Sequence, residues 1–107
     1  MLDALRQKIE ALGVELPLSQ RLERLGTPLA VDHFTLRNRL AIQPMEGCDG
    51  TADGEPGELT LRRYERFARG GAGLLWFEAT AIVPEGRAGP RQLWINGRNL
   101  DSFTRAV

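Results

Sequence analysis

The chain has 107 residues, of which 42% are hydrophobic, with 14 basic and 14 acidic side chains. This length suits one domain, and the composition is that of a globular protein rather than a disordered tail. A formal net charge of zero gives no electrostatic support for nucleic-acid binding. One cysteine excludes an intrachain disulfide, and one histidine excludes a four-ligand Cys/His zinc site within the chain.

The N-terminal segment is charged near its start and does not resemble a signal peptide. No apolar run approaches the roughly 20 residues that cross a bilayer as a helix. We therefore expect no membrane association and a reducing, cytoplasmic setting.

Two short helices are predicted at the start of the chain. The first covers residues 1–13, with Asp3 as a candidate N-cap and Gly13 at its end. The second covers residues 19–25. Each is near or below the length at which a helix is stable alone. Residues 1–27 are therefore interpreted as an N-terminal helical extension that leans on other parts of the protein.

A small hairpin is predicted next. Residues 29–31 and 34–36 are short apolar runs that flank Asp32 and His33. We interpret His33 as an exposed turn residue rather than a catalytic group, because the sequence places no acidic or nucleophilic partner for catalysis near it.

The middle of the chain has the pattern strand, helix, strand. Residues 39–43 predict the first strand, and residues 72–83 predict a second strand that is covered on both faces. Between them lies a helix that Thr60 can cap and that runs to about Arg69. Its buried face is predicted to contain Leu61, Tyr64, Phe67 and Ala68, and its solvated face Arg62, Arg63 and Arg66.

Apolar strands joined by one amphipathic helix are the repeat unit of a β/α barrel. Functional groups in such barrels lie where the strands end, which directs attention to residues 43–46 and 78–80. Glu78 interrupts the second strand, so its carboxylate lies either at an exposed strand end or in a buried pair. A complete barrel needs about 250 residues, so this chain would hold only part of one.

Residues 46–58 form a loop rich in glycine and acidic residues, and loops of this length are usually functional or mobile. Oxygen-bearing side chains alternate at Asp49, Thr51, Asp53 and Glu55, as in a calcium-binding loop. Such a loop carries an acidic residue at its twelfth position, which here is Thr60. No metal site is therefore predicted. Cys48 is interpreted as a thiol in a mobile loop in preference to a redox modulator.

The last segments predict a turn-rich loop at 84–90, an extended segment at 92–95 and a helix that Asn99 or Asp101 caps. The glycines at 70–73 precede a strand, whereas a dinucleotide-binding loop follows a strand and opens a helix. The chain therefore carries no nucleotide-binding fingerprint of that type.

Several motifs occur in an order that resembles the N-terminal part of old yellow enzyme-type flavin oxidoreductases. The likeness covers about residues 28–107, and the motifs that carry it lie at residues 35–40, 43–45, 63–64, 70–75, 78–83 and 86–87. The resemblance implies the α/β class and a partial (β/α)8 TIM barrel. This chain would supply its first two barrel strands, preceded by the helical extension and the hairpin.

The resemblance also implies FMN at the strand ends, with NADH or NADPH as reductant and an activated alkene as the small-molecule substrate. Carried over by motif, Pro44, Met45 and Glu46 would lie against the flavin, and Ala79 would contact it from the second strand. Glu46 departs from the threonine, alanine or cysteine that relatives often carry. A carboxylate beside a flavin that gains negative charge is unfavourable, so the expectation for Glu46 concerns its backbone.

The family's catalytic and phosphate-binding groups would follow residue 107, and Tyr64 lies on a helix rather than at the position of the proton-donating tyrosine. We therefore expect no catalytic residue and no turnover in the isolated chain, and exposed strand edges would favour self-association. Two alternatives remain open. One is a non-catalytic α/β binding or structural module, and the other is a barrel with different chemistry, such as a phosphate-binding lyase.

Overall fold

A computed structural model describes residues 2–107. Within them, no helix is long and apolar enough to cross a membrane. The helices are α1 Leu2–Leu12, α2 Glu58–Arg69 and α3 Leu100–Ala106, with 3-10 turns at Glu23–Gly26 and Pro84–Gly86. The strands are β1 Leu29–Val31, β2 Phe34–Leu36, β3 Ala41–Ile42 and β4 Leu74–Leu75.

The N-terminal helix forms as predicted, and the second helix does not. α1 ends before Gly13, whose φ of +61° suits glycine, and none of its residues is buried. In place of a helix over 19–25, only the 3-10 turn Glu23–Gly26 forms. Ser19 Oγ accepts the Arg21 backbone N–H at 3.0 Å, and such local side-chain bonds compete with a helix.

The predicted hairpin is present. β1 and β2 pair antiparallel, with Leu29 opposite Leu36 and Val31 opposite Phe34. Asp32 takes a φ of +48° in the turn, a conformation that Asp tolerates better than most residues. His33 contacts Asp32 there, and both side chains are more than four-fifths exposed. His33 is therefore an exposed turn residue, as predicted.

The strands β3 and β4 run parallel, with α2 as their crossover. Ala41 lies opposite Leu74 and Ile42 opposite Leu75, and the Trp76 N–H donates to the Ile42 carbonyl at 3.0 Å. Both strands are shorter than the predicted ranges 39–43 and 72–83, since each forms only two regular pairs. A parallel bridge between Ala81 and Trp94 extends the arrangement, and Trp94 lies within the predicted extended segment at 92–95. The described chain is a small α/β structure without a closed barrel.

The hydrophobic core is small and lies between α2, the segment after β4 and α3. Its buried apolar residues are Tyr64, Ala81, Leu93 and Phe103. The rings of Tyr64 and Phe77 stack with centroids 4.4 Å apart, and Phe103 meets Phe77 edge-on at 6.3 Å. The radius of gyration is 19.3 Å, compared with about 13 Å for a compact domain of this size. The molecule is therefore elongated around a limited core.

Candidate functional site

The ends of β3 and β4 lie on the same side of the structure, because parallel strands point their carboxyl ends in one direction. The chain leaves β3 through residues 43–46 and leaves β4 through residues 76–79. Pro44, Glu46 and Ala79 are exposed, and Met45 is 71% exposed. The residues singled out from the sequence are thus surface residues that follow two adjacent strand ends.

Glu78 connects these two strand ends. Its side chain is only 1% exposed, and both of its carboxylate oxygens are used. Oε2 accepts the backbone N–H of Gly47 at 3.0 Å, and Oε1 lies 2.5 Å from Arg63 Nη2. Gly47 follows Glu46, and Glu78 precedes Ala79. One hydrogen bond therefore joins the immediate neighbours of the two predicted contact segments.

Arg63 extends this link to a second carboxylate. Its Nη2 also lies 3.1 Å from Asp49 Oδ1, and the Arg63 side chain is 21% exposed. Asp49 Oδ1 accepts a further hydrogen bond from Thr60 Oγ1 at 2.6 Å, and Thr60 is fully buried. We call Asp49, Arg63 and Glu78 the ionic cluster. It ties the loop after β3 and the end of the β4 segment to helix α2.

The backbone of the loop is adapted to the ionic cluster. A Cβ atom built on Gly47 would lie 1.8 Å from Arg63 Nη1, so only glycine leaves room for the guanidinium. The next residue, Cys48, has a φ of +49°, which costs conformational energy in a residue other than glycine. Cys48 lies between two residues that contact the cluster: the Gly47 N–H bonds Glu78, and the Asp49 carboxylate bonds Arg63.

Tyr64 supports the same strand end from the core. Its hydroxyl accepts the backbone N–H of Glu78 at 2.6 Å, and the Arg63 guanidinium lies 5.4 Å from its ring centroid. Burial raises the pKa of the Tyr64 hydroxyl, and the hydrogen bond from the Glu78 backbone opposes this shift. The aromatic ring and its hydroxyl therefore fix the backbone of Glu78, while Arg63 fixes the side chain.

The loop at 46–58 is held in place by hydrogen bonds to the C-terminal segment. The Gly50 N–H donates to the Arg91 carbonyl at 3.1 Å, and the Trp94 N–H donates to the Gly54 carbonyl at 3.0 Å. Gly54 has a φ of +82°, and a Cβ there would lie 2.7 Å from Trp94 Cβ. This bonding pattern fits an ordered loop rather than the mobile loop in which Cys48 was expected.

Arg63 and Thr60 have roles that differ from their sequence-based interpretation. Arg63 was assigned to a solvated face but lies in the ionic cluster, Thr60 bonds Asp49 instead of capping α2, and Gly57 occupies the cap position. The sequence did contain a signal for this side of α2. Residues 60, 63, 64 and 67 follow the i, i+3, i+4, i+7 spacing, which places them on one face of the helix. Glu78 inside an apolar run was the remaining signal, since a buried carboxylate needs a partner.

The described residues contain no group of three or more His, Cys, Asp or Glu side chains placed to hold a metal ion. Asp49, the first residue of the calcium pattern considered above, instead bonds Arg63 and Thr60. Asp49 Oδ1 is therefore used in contacts with helix α2.

Two side chains at the strand ends are compatible with contact to an aromatic ligand. Met45 offers an exposed, polarisable side chain, and Ala79 is small enough for a ring to approach its backbone. The Gly47 N–H is already bonded to Glu78, so it is not free to bond a ligand. The exposed Met45 and Ala79 side chains thus match an aromatic ring in polarity and size.

Comparisons with known proteins place this geometry in a family context. No protein-family model matches the chain. An NADPH dehydrogenase of Bacillus cytotoxicus is 33% identical over 88 residues, which are 78% of this chain and 25% of that protein. The old yellow enzyme of Trypanosoma cruzi superposes with a TM-score of 0.66 at 26% identity, over 79% of this chain and 23% of that one. A crystal structure of TcOYE with pHBA gives a TM-score of 0.67 at 27% identity, over 80% and 24%.

By sequence and by fold, the chain is similar to the N-terminal portion of old yellow enzyme-type oxidoreductases. The resemblance stated from the motifs is therefore confirmed. The chain spans about a quarter of the length of these relatives.

Proposed function

We propose that this chain forms one wall of an FMN site in an old yellow enzyme-type oxidoreductase. In this proposal, residues 28–107 are the start of a (β/α)8 barrel, with β3 and β4 as its first two barrel strands. Residues 1–27 are an extension outside the barrel. Pro44, Met45 and the backbone of Glu46 would contact the flavin from one strand end, and Ala79 from the other.

The observation that supports this proposal best is the joining of the two parallel strand ends. The Gly47–Glu78 hydrogen bond connects the segments that end at Glu46 and begin at Ala79, while Met45 and Ala79 remain exposed. A flavin needs a flat apolar seat whose position is fixed. Two loops without a bond between them would not hold the contact segments at a fixed spacing.

Bound FMN would supply the hydride chemistry, taking a hydride from NADH or NADPH and passing it to an activated alkene or related acceptor. The part proposed for this chain is to bind and orient the ring.

The isolated chain is proposed to be inactive, because we assign no phosphate-binding or proton-donating group to it. Its exposed apolar residues, which include Trp76 and Ile82, would favour self-association.

Nuclear magnetic resonance of the isotope-labelled chain tests the flavin contacts directly. Lumiflavin, which has the ring system without a phosphate, should shift the amide signals of Met45, Glu46 and Ala79. FMN should bind with a similar affinity, because the chain contributes contacts to the ring alone. Shifts confined to other residues, or a large preference for FMN over lumiflavin, would contradict the proposal.

A matched pair of tryptophan variants sharpens this test. Ala79→Trp should remove the lumiflavin response, because the indole would occupy the space of the ring. Ala11→Trp, at an exposed position on α1, should leave it unchanged. The same two variants can be compared in a chimaera in which this chain replaces the matching segment of the Bacillus cytotoxicus NADPH dehydrogenase. Co-purified flavin should be lost only with Ala79→Trp.

A further inference from the structure

The Glu78 carboxylate is buried and joins two separate parts of the chain. It is 1% exposed, and its two oxygens are bonded to groups on different parts of the chain. Oε2 bonds the Gly47 N–H in the loop after β3, and Oε1 bonds Arg63 on helix α2. Replacing a buried ion pair by apolar side chains is often neutral or stabilising. A role in fixing geometry is the best-attested reason to keep one.

The other members of the ionic cluster make this geometry rigid. Arg63 is bonded to two carboxylates, and Asp49 is bonded by the buried Thr60 hydroxyl as well. The Glu78 backbone N–H donates to Tyr64 on the same helix. Glu78 is therefore fixed at its backbone and at both carboxylate oxygens, so it has little freedom to change rotamer.

Each bond of Glu78 acts next to a proposed flavin contact. Gly47 is adjacent to Glu46 in the chain, and Glu78 is adjacent to Ala79. A change of about 1 Å in the position of a binding group is enough to impair a preorganised site. One buried carboxylate thus bridges the two contact segments.

We propose that Glu78 is a positioning residue: through Gly47 and Arg63, it sets the spacing of the two flavin-contacting strand ends. This inference rests on the proposed function and assigns to Glu78 no contact with the flavin itself. Arg63 acts in the same unit by bonding the Glu78 carboxylate, and Asp49 acts in it by bonding Arg63.

The first experiment measures amide hydrogen exchange in the flavin-free chain. Glu78→Gln keeps the shape of the side chain and removes its charge. Exchange at Gly47 should accelerate about tenfold or more, as expected when a hydrogen bond to a charged acceptor is weakened. The Trp94 N–H, which bonds the Gly54 carbonyl, serves as the internal reference for loss of overall stability. The ratio of the two rates separates a local effect at Gly47 from general destabilisation.

The matched control lies on the same helix. Glu65 pairs with Arg69 at 2.5 Å, and their side chains are 57% and 77% exposed. Exposed pairs contribute little, so Glu65→Gln removes an ion pair of similar length without touching the ionic cluster. It should leave the Gly47 exchange rate unchanged relative to Trp94.

The second experiment adds lumiflavin to the same variants. Glu78→Gln should weaken the lumiflavin response at Met45 and Ala79 at least tenfold, and Glu65→Gln should not. An unchanged ratio of Gly47 to Trp94 exchange in Glu78→Gln would overturn the inference. So would faster Gly47 exchange with an unchanged lumiflavin affinity.

The proposed function fails separately. If the unsubstituted chain gives no lumiflavin response at Met45 or Ala79, the flavin seat is refuted. Faster Gly47 exchange in Glu78→Gln would then still support the role of Glu78 in linking the two strand ends.

Discussion

Gly47→Ala tests whether the ionic cluster needs a glycine in the loop after β3. The added methyl group would lie 1.8 Å from Arg63 Nη1 and 2.3 Å from Arg63 Cζ. The guanidinium is the end of a flexible side chain, so it can move away at little steric cost. Its movement would nevertheless break the contacts with Glu78 and Asp49, and the buried Glu78 carboxylate would lose its cation.

The magnitude follows from the burial of the pair. Breaking a buried ion pair by removing one partner costs about 3–5 kcal/mol. Arg63 is 21% exposed, which places the cost at about 3 kcal/mol, the low end of that range. An alanine free of contacts would instead stabilise the chain by about 0.4–1 kcal/mol through the unfolded state. The two outcomes differ in sign.

Urea unfolding followed by circular dichroism measures this difference. Gly89→Ala is the control, because a Cβ at Gly89 meets no atom within 4 Å. We expect Gly47→Ala to lower the free energy of unfolding by about 2–3 kcal/mol relative to the unsubstituted chain, and by about 3 kcal/mol relative to that control. In a Glu78→Gln background the cost should shrink, because the broken pair is already absent. A neutral or stabilising Gly47→Ala substitution would refute the reasoning.

Two further predictions concern the core. Burial raises the pKa of Tyr64 above its ordinary 10.0, so the folded state holds this proton more tightly than the unfolded state. The stability that Tyr64 contributes is therefore complete below pH 10.0 and is lost as pH rises through the folded pKa. Because the chain has a single tyrosine, tyrosinate absorbance reports it alone, and a midpoint at or below 10.0 would contradict the assignment. Leu93 is fully buried, so Leu93→Ala should cost about 2–5 kcal/mol in the same urea assay. Leu12→Ala, at a side chain that is 66% exposed on α1, should cost little, and equal costs for the two leucines would show that Leu93 is not in the core.

Local sequence patterns predicted the elements whose signals are local. Gly13 ended α1, the apolar runs around Asp32 formed the hairpin, and Gly70 ended α2. The parallel arrangement of β3 and β4 also followed from the strand–helix–strand order, because a helical crossover returns the chain in the same direction. The relationship to old yellow enzyme-type proteins was recognisable from the order of the motifs alone.

The role of Glu78 required the tertiary structure. An acidic residue in an apolar run is equally compatible with an exposed strand end and with a buried pair. Its partners are Arg63, fifteen positions away, and the backbone of Gly47, whose N–H has no signature in the sequence. Arg63 was assigned to the solvated face because helical periodicity gives only the angular position of a residue on its helix. It does not show which groups from other segments pack against that residue.

Periodicity and motif order thus determined the local elements and the family resemblance, because both depend on residues that are near one another in the chain. The ionic cluster of Asp49, Arg63 and Glu78 was decided by folding alone. Its energy depends on distances, burial and the absence of a Cβ at Gly47, and these quantities arise only when a loop, a helix and a strand end are brought together.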